Sequence, residues 1–576
     1  MDLVTGSGTN NAVQRKVGAA GSNVRGRSSS TLPSLAVDRM TSSQVFSGLA
    51  ARLVAWTGVA LICSGLARAG EPVPVVALQA PATVLLGGSF GFTVTLDNTS
   101  TDTTGYGPFV DIAYDATGPD GVLSLPYDGL SILTSVQFLG SALPASYVYE
   151  FTFDDTANGG LGVAHPLAKD SSGNPVYVKT TDFAPPGRFQ NGDKFLVVQI
   201  PLGSFTPEQP LAALQLTAQV SNLADVGTPL PISVRGGFMF GKDPLDNPTT
   251  DPAIFGAQAD SDPYPQPTLI RLTKTYVGPE DETATGPNFL RRYRLTVDVA
   301  DGQTIADLHV VDLVPNTEQF TQVITATRAS GSGSISPVSV PSTSVPGGTL
   351  DYNFGTVVGT ASASDVVLEY EFFVPRVDSN GDPVLDPTSG DDRFLCNQAY
   401  TYGDWTPIDT RDSQTRVAAE ALVSGTWPDQ TVTPDEDCEH RLEAQSIAIQ
   451  KSVAIVNDVP PSGMSPGDTL EYTLAFQVSD YFAFKAVRID DIISDGQRWD
   501  TTFTPTMTVT EHGTTLGVAG MNSANYTVTP NYTPDSSPPN DGTTAIQFRI
   551  SDELVTRGVN ANLVGGGIHS DTTGLE

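Results

Sequence analysis

Apolar and polar residues alternate in short runs along this chain, and Gly, Pro, Asn and Asp separate the runs. Side chains on a strand point alternately to opposite faces, so each run reads as a half-buried strand. After Leu86-Gly-Gly, the stretch Ser89–Asn98 sets Phe90, Phe92, Val94 and Leu96 against Ser89, Gly91, Thr93 and Thr95. The same phase puts Tyr293, Leu295, Val297 and Val299 on one face, and Leu470, Tyr472, Leu474, Phe476 and Val478 on another. Further strands are predicted near Tyr147–Phe153, Phe195–Ile200, Leu214–Val220 and Val366–Val374, while Asp154–Gly173 and Asp243–Pro267 read as long loops. Long helical periods are hard to find, so the fold class is all-β, built of tandem sandwich modules.

One stretch occurs twice. Ile270-Arg-Leu-Thr-Lys274-Thr is replayed as Ile447-Ala-Ile-Gln-Lys451-Ser, and in both the lysine falls on the apolar side of the alternation. Each lysine is therefore expected to point into a core, where an ammonium is costly without a partner. These strands open two modules, at 267–443 and 444–576, after a first module at 70–266. The run Asp260-Ser-Asp-Pro-Tyr-Pro-Gln-Pro267 reads as a proline-stiffened linker between the first and second. The third module shows no closing strand, so the sequence reads as truncated.

Residues 1–39 have no period and are read as a disordered extension or an over-extended gene start. From Met40, an apolar run Leu53–Leu66 follows Arg52 and ends at Ala67-Arg68-Ala69, the parts of a secretory signal peptide over 40–69. The alternative is an uncleaved N-terminal anchor. No second apolar segment of spanning length appears, so the mature chain is expected to carry no integral membrane domain. Cleavage leaves Cys396 and Cys438, an even number in an oxidising compartment, where a disulfide is the default and two free buried thiols the alternative. A loop of that length would stabilise the fold by roughly 4 kcal/mol. The net charge of −34 repels nucleic acid and anionic headgroups.

Taken together, "apolar-x-Lys-(Thr/Ser)", then Pro466-Gly-Asp-Thr-Leu-Glu-Tyr-Thr-Leu, then Val487-Arg-Ile-Asp-Asp491 resembles the bacterial conserved-repeat domain of surface proteins, a family of unknown function. The resemblance covers roughly 268–400 and 446–576, and the opening of the first module more faintly. The second module departs from it, with Gly286-Pro-Asn-Phe-Leu-Arg-Arg-Tyr in place of the Pro-Gly-Asp run. It implies immunoglobulin-like sandwiches at a cell surface or outside the cell. Some similar adhesin and fimbrial domains join a first-strand lysine to a last-strand asparagine through an isopeptide bond, assisted by an acid. Lys274, Asp312 and Asn397 stand in that order in the second module. Lys451 and Asp491 do so in the third, where the asparagine would fall at or beyond the last residue. The first module has no lysine at this place, since Val75–Leu78 is apolar throughout. The chemistry is general: desolvation favours a neutral, nucleophilic amine, and a protonated acid polarises the amide carbonyl. The ordinary alternative is a Lys274–Asp312 ion pair, or Asp312 capping a turn before Pro315.

Other chemistry is thinner. Asp378-Ser-Asn380-Gly-Asp382, with Asp386, Asp391 and Asp392 beyond, presents oxygens as calcium loops do but lacks the distal bidentate glutamate, which favours a plain acidic turn. No cofactor is expected, with calcium the one candidate. The five histidines have no metal-ligand spacing, and neither a nucleophile elbow, a P-loop nor a dinucleotide fingerprint is present. Glu369 and Glu371 resemble glycosidase carboxylates in type only. The expectation is a secreted or surface structural, adhesin-like stalk that performs no turnover and meets cell-surface or matrix ligands. A carbohydrate- or calcium-binding protein is the alternative, and an extracellular hydrolase ranks behind it. Aromatic residues clustered on an exposed sheet face would favour sugar binding.

Overall fold

The computed structural model describes residues 70–564, apart from 119–127, 244–251, 280–282, 386–392, 410, 412–413, 423–439, 512–513, 533–541 and 559–562. The predicted extension and signal peptide lie outside the described residues. So does the Cys396–Cys438 pairing, because neither cysteine side chain is described. Among the described residues, no helix is long and apolar enough to cross a membrane.

The alternating runs form strands with the expected faces inward. In Ser89–Asn98, Phe90, Phe92, Val94 and Leu96 are buried, as the phase requires. This strand lies in a five-stranded sheet with Pro74–Gln79, Ala212–Val220, Leu130–Phe138 and Ser141–Ala142. A second five-stranded sheet comprises Ile254–Asp260, Ile232–Phe238, Pro108–Tyr114, Lys194–Gln199 and Val148–Thr152. Phe92, Val94 and Leu214 of the first meet Val110, Ile112 and Val234 of the second in one core, the arrangement of a sandwich.

Two expected loops prove to contain strands. Val163–Lys169 and Pro175–Val178 pair as a hairpin, and Ile254–Asp260 joins the second sheet. The reason lies in Pro108–Tyr114, which is buried along its whole length, so both faces of its sheet are covered. On the outer face, Phe109, Phe153, Phe183, Phe189 and Phe195 form a second core with Val178 of the hairpin. Inside it, His165 Nε2 stands 2.9 Å from Asp111 Oδ1, and Arg235 Nη2 donates to Asp111 Oδ2 at 2.7 Å. The His165 Nδ1 accepts from the backbone of Leu167 and Ala168, which leaves the proton on Nε2 facing Asp111.

The predicted linker is extended but tied down. Gln266–Thr268 pairs in parallel with Thr83–Leu85, and Leu269 and Ile270 share one core cluster with Val84 and Leu86. The second group of strands opens there. Ile270–Gly278, Arg291–Val299, Val366–Phe373 and Gln319–Arg328 make one sheet in that order. Facing it, Thr304–Val314 runs between Gly348–Asn353 and Arg393–Trp405.

The third group holds the ribbon Ile447–Asn457 with Thr469–Val478 and the sheet Arg488–Ile493, Gly542–Arg549, Tyr526–Tyr532. Its junction with the second group is polar and buried. The Asp480 carboxylate accepts from Asn288 N at 2.8 Å and Asn288 Nδ2 at 3.1 Å. Gly286, at φ +132°, lets this happen: a Cβ there would sit 2.2 Å from the Asp480 carboxylate.

Candidate functional site

Lys274 is the fifth residue of Ile270–Gly278, on the same face as buried Ile270 and Leu272, and it pairs across the ladder with Leu295. The inward phase read from the sequence holds here, and the side chain is fully buried. Its Nζ lies 2.5 Å from Asp312 Oδ2, and Asp312 is equally buried. Aromatic rings wall the amine, with the Tyr293 centroid at 4.5 Å and that of Tyr370 at 5.9 Å.

Asp312 sits inside Thr304–Val314, opposite Ala399 of the neighbouring strand, and does not cap the turn before Pro315. Asn397 is two residues from Ala399 and on the same face, which brings its amide diagonally next to Asp312. Asn397 is buried. Its Nδ2 lies 2.7 Å from the Tyr370 hydroxyl and 3.0 Å from Glu318 Oε2. Asn397 Oδ1, Asp312 Oδ1 and Glu318 Oε1 are buried with no hydrogen-bond partner.

Glu318 is the residue that sequence reasoning missed. It lies in the turn after the Asp312 strand, held by its own N–H to Pro315 O and by its carbonyl, which accepts from Gly347 N. A turn residue belongs to no alternation, so period gives no sign that this carboxyl is buried. The available signal was a glutamate shortly after an inward aspartate, in a turn opened by Pro315.

Burial governs the charges. Desolvation pushes the Lys274 amine down and the Asp312 carboxyl up, and their mutual attraction only partly offsets this. Glu318 is pushed up to about 8 by burial, against the pull of the Lys274 charge. The phenols of Tyr293 and Tyr370 are held far above their ordinary range by the same cause. Burial therefore moves the amine and both acids toward their neutral forms. An amine, an amide and carboxyl groups buried side by side are the reactants for amide exchange.

The third group repeats half of this. Lys451 Nζ lies 2.6 Å from Asp491 Oδ1 and 4.6 Å from the Tyr472 ring centroid. Lys451 pairs with Leu474 and Val453 with Tyr472, the register in which Lys274 meets Leu295 and Tyr276 meets Tyr293. The expectation of a buried Lys451 is nevertheless wrong, since its side chain is 36% exposed and that of Asp491 14%, against 0% for both Lys274 and Asp312. The cause is the cover. Among the described residues, the far edge of Thr469–Val478 carries no strand where Val366–Phe373 pairs in the second group. Among the described residues, the Asp491 strand pairs only with Gly542–Arg549, whereas the Asp312 strand is paired on both sides.

The remaining candidates lie in polar turns and ladders. Asp378 Oδ1 accepts from Asn380 N at 2.8 Å and Asp382 N at 3.0 Å, an acidic turn occupied with its own backbone. Asp386, Asp391 and Asp392 lie outside the described residues, and among those described no group of three or more His, Cys, Asp or Glu is placed to hold a metal. Glu369 and Glu371 face Arg294 and Arg292 in a ladder of ion pairs. An aromatic cluster does occur on the outer face of the Arg393–Trp405 strand. There His309 stacks on Tyr402 at 4.7 Å, with Asp351 and Asn353 against the two imidazole nitrogens.

No family model matches the chain, and no curated protein does. Among solved structures, the C-terminal domain of the Streptococcus agalactiae AgI/II polypeptide BspA is similar at 9% identity and a TM-score of 0.18, over 60% of this chain and 98% of that one. The major pilin subunit BcpA of Bacillus cereus is similar at 10% identity and a TM-score of 0.19, over 62% and 68%. Domains D2 and D3 of the major pilin SpaD from Corynebacterium diphtheriae are similar at 10% and 0.19, over 59% and 88%.

Proposed function

We propose that the chain is an exported structural protein of a cell surface, a stalk or presenting scaffold whose second module locks itself with an isopeptide bond between Lys274 Nζ and Asn397 Cγ. One observation carries this reading: a fully buried lysine 2.5 Å from a fully buried aspartate, with a buried asparagine amide beside it on the adjacent strand. The sandwiches supply rigidity, and the acidic surface keeps such a scaffold dispersed. Nothing in this role calls for turnover. The bond would form once, on folding, with release of one ammonia.

The test is intact mass of the full chain beside its Lys274→Ala and Asn397→Ala variants, followed by peptide mapping. The native chain is expected to be lighter than its sequence by one ammonia, with a cross-linked peptide joining the two strands. Each variant is expected at its full calculated mass. A native chain at full mass would end the isopeptide reading and leave Lys274–Asp312 as a buried pair.

A further inference from the structure

We propose that two carboxyl groups divide the work at this site: Glu318, with Tyr370, holds the carbonyl oxygen of the Asn397 amide, while Asp312 serves the amine. The inference rests on the isopeptide reading and deepens it.

It begins with donors and acceptors. Asn397 Nδ2 faces both Glu318 Oε2 and the Tyr370 hydroxyl, while its Oδ1 is buried with no partner. Burial keeps Glu318 protonated up to about 8 and the Tyr370 phenol protonated well beyond that. Both groups can then donate as well as accept, and the amide atom left without a partner is the buried Oδ1. A half-turn of the amide about Cβ–Cγ exchanges its oxygen and nitrogen. The carbonyl oxygen then stands about where Nδ2 did, 3.0 Å from Glu318 Oε2 and 2.7 Å from the Tyr370 oxygen. Proton state and amide orientation are thus linked: only a neutral Glu318 has a proton to donate to the oxygen of the turned amide. In that orientation Cγ is polarised by two donors in a fully buried site, the arrangement that stabilises a developing oxyanion.

Asp312 is placed for the other half. Its Oδ2 touches Lys274 Nζ at 2.5 Å, and Tyr370 and Asn397 lie against the same carboxyl group. The ammonium passes one proton to Asp312, and the freed lone pair attacks Cγ. The carbonyl electron pair moves onto oxygen, against Glu318 and Tyr370. Asp312 gives its proton to Nδ2 and takes one from the now cationic Nζ. The Cγ–Nδ2 bond breaks, the carbonyl re-forms and ammonia departs. The proton that began on Lys274 ends on Asp312, and Glu318 keeps its own throughout. Atoms and charge balance with no further reactant.

The test starts from full-length chain collected in denaturant, diluted into buffers from acid to alkaline, with loss of ammonia followed by intact mass. Native chain is compared with Glu318→Ala, Glu318→Gln and Tyr370→Phe, with Lys274→Ala as the zero. Glu318→Ala is expected to slow the loss about a hundredfold or more, and Tyr370→Phe by about tenfold. The native rate is expected to fall as pH rises past the Glu318 range, and Glu318→Gln, which keeps shape and a donor, to lack that alkaline fall. If Glu318→Ala does not fold, the pH profile of Glu318→Gln decides. Variants that lose ammonia at the native rate with the native profile overturn this inference and leave the bond standing. A native chain that loses none overturns the reading beneath it.

Discussion

A carboxyl group that folding moves up the pH scale makes the fold sensitive to alkali, and Glu318 is such a group. Its ordinary value of 4.5 rises to about 8 on burial. Below about 4.5 it is protonated whether the chain is folded or not, and its contribution to stability is fully present. Between these values the unfolded chain releases a proton that the folded chain keeps, so stability falls as pH rises and the contribution is lost above about 8. The span corresponds to a loss on the order of 5 kcal/mol. Lys274→Ala, which cannot cross-link, exposes the effect. Hydrogen exchange of Val366–Phe373, corrected for intrinsic rate, should show protection falling from mildly acid to alkaline pH. Adding Glu318→Gln should flatten that slope. An equally steep slope in the double variant would place the sensitivity elsewhere.

Alternation along an element tells which side of a strand faces inward; it does not tell what lies on that side. Strands such as Ser89–Asn98 and Arg291–Val299 were legible because every second residue is aliphatic or aromatic and the sheet opposite is present. Lys274 and Lys451 have the same phase, the same register and the same acid, and only one is buried. The difference belongs to the strands carrying Tyr370 and Asn397, which are remote in sequence. Glu318 and the Val163–Lys169 hairpin escaped for a related reason, since a turn and a Gly- and Pro-broken stretch carry no period and are buried by distant partners. Exposure makes a prediction of its own. A lysine-acylating reagent applied to the folded chain should modify Lys451 readily and leave Lys274 untouched, as read by peptide mass. Protection of Lys451 equal to that of Lys274 would mean that its face is covered.

At the scale of the molecule, the position of the proposed bond matters more than its strength. Lys274 opens the second group of strands immediately after the tied linker, and Asn397 lies in a late strand of the same group. A bond between them closes a loop of about 120 residues, worth roughly 5 kcal/mol by chain entropy alone. Under tension the consequence is larger, because load entering at Ile270 would pass through the cross-link and around the intervening strands. At about 3.4 Å per residue, the shielded segment withholds roughly 400 Å of extension. Pulling single full-length chains from their ends should therefore show a total contour shorter by that amount for the native protein than for Lys274→Ala. The unfolding step of the second group should be cut back accordingly. Equal contour lengths would mean that the load runs through the strands themselves, and that a buried lysine and asparagine remain neighbours without a bond.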